Sequence, residues 1–230
     1  PTLENTGTYV LSVRVLDQVG NASGIATFGF RYESQGIVAV TGKGVRPKVT
    51  VFDADGVIIR TFAVFSARDT GGLSVATGDI DGDGTENILI GSGSGTAPEV
   101  RIYSLEGRLQ RRIKIRGALP QDGVTVAVGN VRGNSSLEIV TGTVTGIPRV
   151  RIFSARGTLL KSFLAFPDTN RQGISLVVGN FSGKGTDEIA TAQAGAASPV
   201  IRFYSGTGKI TKQFTTPSVS KSSGFVLGKG

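Results

Sequence analysis

Short runs of alternating apolar and polar residues recur along this chain, and none has the spacing of an amphipathic helix. Residues 148–153 (PRVRIF) form one such run, and residues 158–163 (TLLKSF) form the next after a turn at Gly157. Side chains of a β-strand point to alternate faces, so two alternating runs around a glycine turn indicate a β-hairpin. The pattern predicts an all-β protein.

The same hairpin phrase occurs four times at a spacing of about 50 residues. It reads PKVTVF, PEVRIY, PRVRIF and PVIRFY, and it opens at Pro47, Pro98, Pro148 and Pro199. Two series of glycines mark the turn after each phrase and the end of another short apolar strand: Gly56, Gly107, Gly157 and Gly208, and Gly78, Gly129, Gly179 and Gly228. One repeat therefore holds four short strands, which is typical of a β-propeller blade; a β-solenoid is the alternative.

Three complete blades are predicted, at residues 73–115 (blade two), 124–166 (blade three) and 174–214 (blade four). The first repeat, residues 36–65 (blade one), begins at its second strand, and residues 224–230 supply only a first strand. Pairing of these two pieces would close a four-bladed ring and remove exposed sheet edges. The alternative is that strands from another molecule fill the open edges and build a filament.

Residues 1–35 lie outside the repeat. Residues 8–16 and 25–32 alternate as two strands around a turn at residues 17–21. The phrase GTYVLSVRVLDQVGNAS resembles the last hairpin of bacterial immunoglobulin-like domains. Two strands do not form a stable sandwich by themselves, so the resemblance implies the end of an Ig-like domain or a linker hairpin.

The composition narrows the chemistry. The 230 residues include 34 Gly and no His, Cys, Met or Trp, so imidazole bases, thiol nucleophiles, disulfides and Ser-His-Asp catalysis are excluded. We therefore do not expect an enzyme. No apolar run approaches the roughly 18 residues of a membrane-spanning helix.

The net charge of +8 favours acidic partners such as an anionic polysaccharide, although it is equally explained by solubility. Nucleic acid is not expected to bind, because single-stranded nucleic acid needs exposed aromatic side chains for stacking and the chain has four Tyr and no Trp.

One loop of blade two carries metal-binding chemistry. Residues 79–87 (DIDGDGTEN) place carboxylates at loop positions one, three and five, a backbone carbonyl at seven and an amide oxygen at nine, from Asp79, Asp81, Asp83, Thr85 and Asn87. Oxygen ligands at alternate positions suit calcium, and close carboxylates repel one another without a cation. We expect one structural calcium ion; a water-exposed loop of Asx turns is the alternative.

The D-x-D-G-D-G loop, the bend at residues 93–98 (GSGTAP) and the V-R-I-F strand together resemble the FG-GAP repeat of integrin-alpha-like propellers, in its bacterial surface-protein form. The resemblance covers residues 36–230. It implies an extracellular or cell-surface protein whose blade loops bind calcium structurally and whose ligands contact loops on the opposite face. Members of that family commonly have seven blades, whereas four are readable here.

The corresponding loops of blades three and four, residues 130–138 and 180–188, lack the acidic triplet and each gain a cation, Arg132 and Lys184. We hypothesise that these side chains replace the metal by donating hydrogen bonds to loop oxygens. Side chains that face solvent are the alternative.

Alternation of strands sends the loops between strands two and three, and those between blades, to one common face. These loops differ from blade to blade, as expected where a rigid scaffold presents recognition residues. The polar candidates for contact with a protein or glycan partner are Arg68, Asp69, Asp122, Asp168, Asn170 and Arg171.

These observations predict a non-catalytic adhesion or structural module at the bacterial cell surface, with a calcium-stabilised propeller and assembly by strand exchange. A carbohydrate- or polyanion-binding, lectin-like propeller is the alternative.

Overall fold

The structure, a computed structural model, describes residues 7–13, 26–32, 36–169, 171–194 and 200–217. Within these ranges the regular structure is β-strand apart from one short 3-10 turn at Pro120–Asp122. No helix in this part of the chain is long and apolar enough to cross a membrane. The chain divides into two compact units, residues 1–37 with 51–59, and residues 38–50 with 60–230.

The N-terminal hairpin has the two predicted strands. Strand β1 (Gly7–Val13) pairs antiparallel with β2 (Ala26–Tyr32), and Gly7 lies opposite Tyr32. The predicted turn at residues 17–21 is outside the described residues, and the immunoglobulin-like resemblance stays a prediction.

Blade one contains three strands in the described residues. Strands β3 (Ile37–Val40), β4 (Lys48–Phe52) and β5 (Ile58–Ala63) form one sheet in chain order. These strands match the second, third and fourth strands that the sequence predicts for the first repeat. The proposed fourth partner, residues 224–230, lies outside the described residues, so ring closure stays a prediction.

Blades two, three and four are four-stranded antiparallel sheets whose strands follow chain order. Blade two contains β6 (Ser74–Gly78), β7 (Asn87–Gly91), β8 (Glu99–Tyr103) and β9 (Leu109–Lys114). Blade three contains β10 (Val124–Gly129), β11 (Glu138–Thr143), β12 (Arg149–Phe153) and β13 (Leu159–Leu164). Blade four contains β14 (Ile174–Gly179), β15 (Glu188–Gln193), β16 (Val200–Tyr204) and β17 (Ile210–Thr215). The predicted all-β propeller architecture is confirmed.

The third and fourth strands of each complete blade share one irregularity. Their turn glycines adopt left-handed backbone angles, with φ of 78°, 86° and 82° at Gly107, Gly157 and Gly208. Each hairpin also shifts register at the end of its third strand, at Tyr103, Phe153 and Tyr204. The glycines were predicted as turns, whereas the register shift was not.

The hydrophobic core lies between successive sheets. One cluster joins blades two and three and includes Leu89, Val100 and Ile139, all fully buried. Glycine at the end of the first strand permits this approach, because a Cβ at Gly78 would lie 2.9 Å from Cγ1 of Val128 in the next blade. Burial of each such aliphatic side chain stabilises the fold by about 1.5–3 kcal/mol.

Candidate functional site

The acidic loop of blade two, residues 79–87, connects β6 to β7, and its two ends are fixed by pairing of Gly78 with Asn87. Asp79, Asp81 and Asp83 each bring a carboxylate oxygen to within 4.8 Å of the other two. Asp81 and Asp83 are exposed and Asp79 is half-buried. The structure therefore brings together the three carboxylates that the sequence nominated.

Asp79 organises the backbone of this loop. Its Oδ1 accepts hydrogen bonds from the N–H groups of Gly82 (2.7 Å) and Asp83 (3.1 Å), and its Oδ2 accepts one from Gly84 (2.9 Å). Oδ1 of Asp83 accepts a hydrogen bond from the N–H of Thr85 at 2.7 Å. The bond from Thr85 to Asp83 has the two-residue spacing of an Asx turn, whereas those to Asp79 span three to five residues. Aspartate side chains therefore hold the loop backbone whether or not an ion binds.

The predicted ligand at position nine, Asn87, has a different set of contacts. Its side chain is 2% exposed, its Oδ1 accepts a hydrogen bond from the N–H of Ile80 at 3.0 Å, and its Nδ2 donates to Oε1 of Gln110 at 3.1 Å. Asn87 therefore ties the loop to the sheet. Its role as a metal ligand stays a prediction, as does that of the Thr85 carbonyl.

The spacing of the three carboxylates is compatible with one shared cation, and calcium at this loop stays a prediction. Calcium binds oxygen at about 2.3–2.6 Å, so two ligand atoms on opposite sides of the ion are at most about 5 Å apart. The aspartate oxygens lie within 4.8 Å of one another. Oδ1 of Asp79 already accepts two N–H bonds, whereas its Oδ2 accepts one and keeps a further lone pair.

The loop of blade three, residues 130–138, keeps a similar hydrogen-bonded frame without the three aspartates. Oδ1 of Asn130 accepts from the N–H of Gly133 at 2.8 Å, and Oδ1 of Asn134 accepts from the N–H of Ser136 at 3.0 Å. The amide nitrogen of Asn130 donates across the loop to the carbonyl of Asn134. This loop is closed by amides in place of aspartates.

Glu138 occupies position nine of that loop and is 2% exposed. Its Oε2 accepts a hydrogen bond from the N–H of Val131 at 3.1 Å. Burial raises the pKa of the Glu138 carboxyl, while the hydrogen bond from Val131 and the positive charge of Arg132 act in the opposite direction. Glu138 therefore takes the position of Asn87 with a carboxyl in place of an amide.

The cations that were hypothesised to replace calcium, Arg132 and Lys184, are both exposed. Arg132 acts electrostatically on Glu138 of its own loop. Lys184 lines an open cavity of 420 Å³ with Phe181 and Phe203. In the described part of the two loops neither side chain donates a hydrogen bond to a loop oxygen, so the replacement hypothesis has no support from hydrogen bonding.

Loops from two neighbouring blades meet at one face, as predicted from strand alternation. The N–H of Thr145 donates to the carbonyl of Asp122 at 2.7 Å, and the N–H of Gly146 donates to the carbonyl of Arg171 at 2.9 Å. Gly146 also forms an isolated parallel bridge with Gln172. These bonds join residues 117–123, 143–148 and 171–173 into a single surface, which we call the loop face.

The predicted contact residues on the loops differ in their surroundings. Arg68 and Asp168 are exposed. The carboxylate of Asp69 accepts a hydrogen bond from the N–H of Ser66 at 2.9 Å and so stabilises its own turn. Asn170 lies outside the described residues.

Asp122 is a structural residue of its loop. It is 9% exposed, and its Oδ2 accepts a hydrogen bond from the N–H of Leu119 at 2.7 Å. A Cβ at Gly146 would lie 2.4 Å from its Oδ1, so glycine is required beside it. The Asp122 carboxylate thus stabilises its own loop, and its contact with a partner stays a prediction.

Asp122 and Arg171 line one cavity of 470 Å³ at the loop face, together with Arg149 and Arg151. The sequence analysis did not nominate these last two arginines. The signal was present in the repeat itself, because PRVRIF of blade three has Arg149 where PEVRIY of blade two has Glu99.

No family model matches the chain, and no curated protein has a similar sequence. A solved protein of unknown function from Bacteroides caccae is similar in fold, with a TM-score of 0.47 and 11% identity over 83% of this chain and 68% of that one. The V. cholerae biofilm matrix protein Bap1 has a TM-score of 0.43 and 14% identity over 92% of this chain. Rhamnogalacturonan lyase YesW has a TM-score of 0.48 and 12% identity over 95% of this chain. The chain spans 39% of Bap1 and 49% of YesW, and similarity at this level carries no information on function.

Proposed function

We propose that this chain is a non-catalytic binding module of the bacterial cell surface, in which a calcium-stabilised propeller presents loops to a protein or glycan. The observation that supports it most is the loop face, where backbone hydrogen bonds join residues 117–123, 143–148 and 171–173. A surface fixed by its own backbone loses little conformational entropy when a partner binds.

Calcium has a structural role in this proposal. The oxygen donors are Asp79, Asp81 and Asp83, which lie in the turn between β6 and β7. Binding of an ion that the unfolded chain does not hold stabilises the folded state. The position of the D-x-D-G-D-G loop between a first and a second strand supports the assignment to FG-GAP repeats, and with it an extracellular location.

A non-catalytic role is supported by the kinds of side chain that the protein contains. General acid–base catalysis needs a proton donor and acceptor with pKa values near the working pH, most often from His. The sequence has no His or Cys. In the described residues the acidic cluster of blade two consists of aspartates whose oxygens also hold the loop backbone.

Self-association is supported by the outer surface of blade four. Phe181 and Phe214 are 43% and 44% exposed, whereas their counterparts Val131 and Ile113 are 2% and 5% exposed. In the earlier blades the following blade covers these positions. Light scattering after size exclusion tests this part: we expect oligomers that Phe181→Ser with Phe214→Ser dissociates, and a wild-type monomer at high concentration contradicts it.

The binding role is tested with the purified chain immobilised on beads and exposed to intact bacterial cells and to a glycan array. We expect retention that falls in the variant Arg171→Ala, because Arg171 is an exposed residue of the loop face. The matched control is Arg112→Ala, which removes an exposed arginine from β9. Equal retention by all three proteins contradicts a loop-face site, and release of new sugar ends from a captured glycan contradicts the non-catalytic assignment.

A lectin-like or polyanion-binding propeller remains the second candidate. The cavity lined by Arg149, Arg151 and Arg171 favours it, because guanidinium groups suit carboxylate and phosphate ligands. Binding to acidic glycans on the array, with little binding to neutral glycans, would identify this function.

A further inference from the structure

One arginine recurs at the same register position in the third strand of each complete blade. These residues are Arg101, Arg151 and Arg202, and they pair with equivalent residues of the second strand, Ile90, Thr141 and Thr191. Because backbone position and side-chain type are shared, differences among them come from the neighbours that surround each guanidinium.

In blade two the charge of this arginine is neutralised. Nη2 of Arg101 lies 2.6 Å from Oε1 of Glu99, and its guanidinium stacks 4.1 Å from the ring centre of Phe65. Burial acts most strongly and opposes the charged form, but the hydrogen bonds and charges of Glu99 and Tyr103 together outweigh it, so the pKa of Arg101 is raised. An ion pair and an aromatic face both contact this half-buried cation.

In blade four the arginine also has an aromatic partner. The guanidinium of Arg202 lies 4.8 Å from the ring centre of Phe166, and its Nη1 donates to the carbonyl of Ala165 at 2.8 Å. Phe166 and Phe65 hold the same position, since each stands two residues after the last residue of a fourth strand.

Blade three lacks both partners. Arg149 takes the position of Glu99 at the start of the third strand, and Arg116 takes the position of Phe65 two residues after β9. The charge of Arg149 therefore acts on Arg151 where Arg101 has a carboxylate, and Arg116 stands where Arg101 has an aromatic ring. The exchange replaces a negative charge on the third strand with a positive one beside an otherwise repeated side chain.

The surroundings of Arg151 leave its charge without an ion-pair partner. It is 8% exposed, and Nη2 donates to the carbonyl of Arg116 at 3.4 Å. Burial lowers the pKa of Arg151, the charge of Arg149 lowers it further, and Asp122 acts in the opposite direction. In the described residues no carboxylate lies within ion-pair distance of Arg149 or Arg151. A guanidinium stays charged in proteins, so this site favours an external anion.

The cavity beside Arg151 has the size of a ligand site. Its volume of 470 Å³ falls in the range of about 300–1,000 Å³ that is common for small-molecule sites. Leu119 and Ile147 supply apolar walls, and Thr143 and Gln121 supply hydrogen-bonding groups. The exposed Arg171 also lines the cavity, as does Asp122, whose carboxylate accepts the N–H of Leu119. Charged, polar and apolar groups thus converge on one space.

We propose that this cavity binds an oxyanion, a carboxylate or a phosphate, carried by a small polar ligand, with Arg149 and Arg151 holding the anion and Arg171 assisting at the edge. This inference rests on the proposed binding role of the loop face and names the chemistry that the face recognises. A guanidinium can donate two parallel hydrogen bonds to a carboxylate or to a phosphate. Both groups carry a negative charge and two accessible oxygens, which is the chemistry that the cavity would recognise.

The test is calorimetric titration at low ionic strength with three hexoses that differ at one carbon: glucuronic acid, glucose 6-phosphate and glucose. We expect at least one charged hexose to bind at least tenfold more tightly than glucose, and the tighter of the two identifies carboxylate or phosphate as the preferred group. Equal affinity for glucose, or no binding of either charged hexose, overturns the proposal.

The decisive variant is Arg149→Glu, which recreates in blade three the ion pair that Glu99 makes with Arg101. We expect it to keep the fold and to weaken binding of the charged hexose at least tenfold. Lys161→Glu is the matched control, because it makes the same charge change at an exposed residue of β13 outside the cavity. An equal loss of affinity in Arg149→Glu and Lys161→Glu would indicate that the hexose is attracted by the overall charge of the protein, and it would overturn the proposal.

Arg171→Gln is a second variant, and it changes an exposed residue, so it should not disturb folding. We expect it to weaken binding of the charged hexose less than Arg149→Glu does. Unchanged affinity in both Arg149→Glu and Arg171→Gln overturns the assignment. If the charged hexoses fail to bind while cells are still retained by the loop face, the inference alone is wrong. If the charged hexoses fail to bind and cells are not retained either, the proposed binding role of the loop face is also wrong.

Discussion

The acidic loop of blade two and the neutral loop of blade three have the same frame and different charge. Position one accepts the N–H of position four in both, at 2.7 Å for Asp79 and 2.8 Å for Asn130. The position-four glycines, Gly82 and Gly133, both have left-handed φ angles, 76° and 71°. A short side-chain oxygen and a glycine therefore define the turn in both loops, while the carboxylates change the charge of the loop and are the proposed ligands of calcium.

At the ninth loop position, too, two different side chains accept the same backbone hydrogen bond. Asn87 accepts the N–H of Ile80 at 3.0 Å, and Glu138 accepts the N–H of Val131 at 3.1 Å. Both side chains are 2% exposed. The amide and carboxyl oxygens thus accept equivalent hydrogen bonds. They differ in that the amide of Asn87 also donates to Oε1 of Gln110, whereas the carboxyl of Glu138 can ionise.

The largest effect is expected when the ninth side chain is removed. Glu138→Ala leaves the buried N–H of Val131 without its acceptor, which costs about 1–3 kcal/mol. At roughly 2–4 °C per kcal/mol, the melting temperature should fall by several degrees. Asn87→Ala should cause a similar fall, and circular dichroism melts compare the two.

Glu138→Gln is the control in that experiment, because a glutamine oxygen can still accept the hydrogen bond from Val131. Destabilisation of Glu138→Gln as large as that of Glu138→Ala would show that the hydrogen bond is not what stabilises this position.

A smaller effect is expected at position one. Asp79→Ala and Asn130→Ala remove acceptors of exposed loop N–H groups, which water then satisfies in part, so each should cost about 0.5–2 kcal/mol, as loss of a side-chain cap does. Urea unfolding in the presence of a chelator measures both. If Asn130→Ala were neutral while Asp79→Ala were strongly destabilising, the shared frame would not be the reason for the shared turn.

The smallest effect concerns pH. The pKa of Glu138 is raised above its ordinary value of 4.5, so the folded protein holds this proton more tightly than the unfolded chain. Ionisation therefore costs stability as pH rises through the raised pKa, and protonation restores it as pH falls toward 4.5. Glu138→Gln should be slightly more stable than wild type at neutral pH, with the gap closing below 4.5. A gap that widens in acid would contradict this sign.

The blade architecture was predictable from sequence because each repeat carries its own alternation and turn glycines. Gly107 and Gly157 mark the same hairpin in consecutive blades, and both adopt the left-handed angles that favour glycine. The aspartate group was also predictable from sequence. Asp79, Asp81 and Asp83 occupy alternate positions of one short loop, so local geometry alone brings their carboxylates together.

The remaining features depend on contacts between strands and blades, which local patterns do not encode. Asn87 binds Ile80 and Gln110 across the sheet, so its buried position is a consequence of strand pairing. The surroundings of Arg151 come from Arg149 on its own strand and from Arg116 of the preceding blade. Only comparison of aligned repeats reveals that both neighbours changed.

Calcium-dependent thermal melting tests the central claim most directly. The chain is melted in chelator and at rising calcium, beside the double variant Asp81→Asn, Asp83→Asn, in which an asparagine oxygen still accepts the N–H of Thr85. At ten times the dissociation constant, calcium should stabilise wild type by about 1.4 kcal/mol, or roughly 3–6 °C, and leave the variant unchanged. No shift in wild type, or an equal shift in both proteins, would contradict a calcium-stabilised blade two.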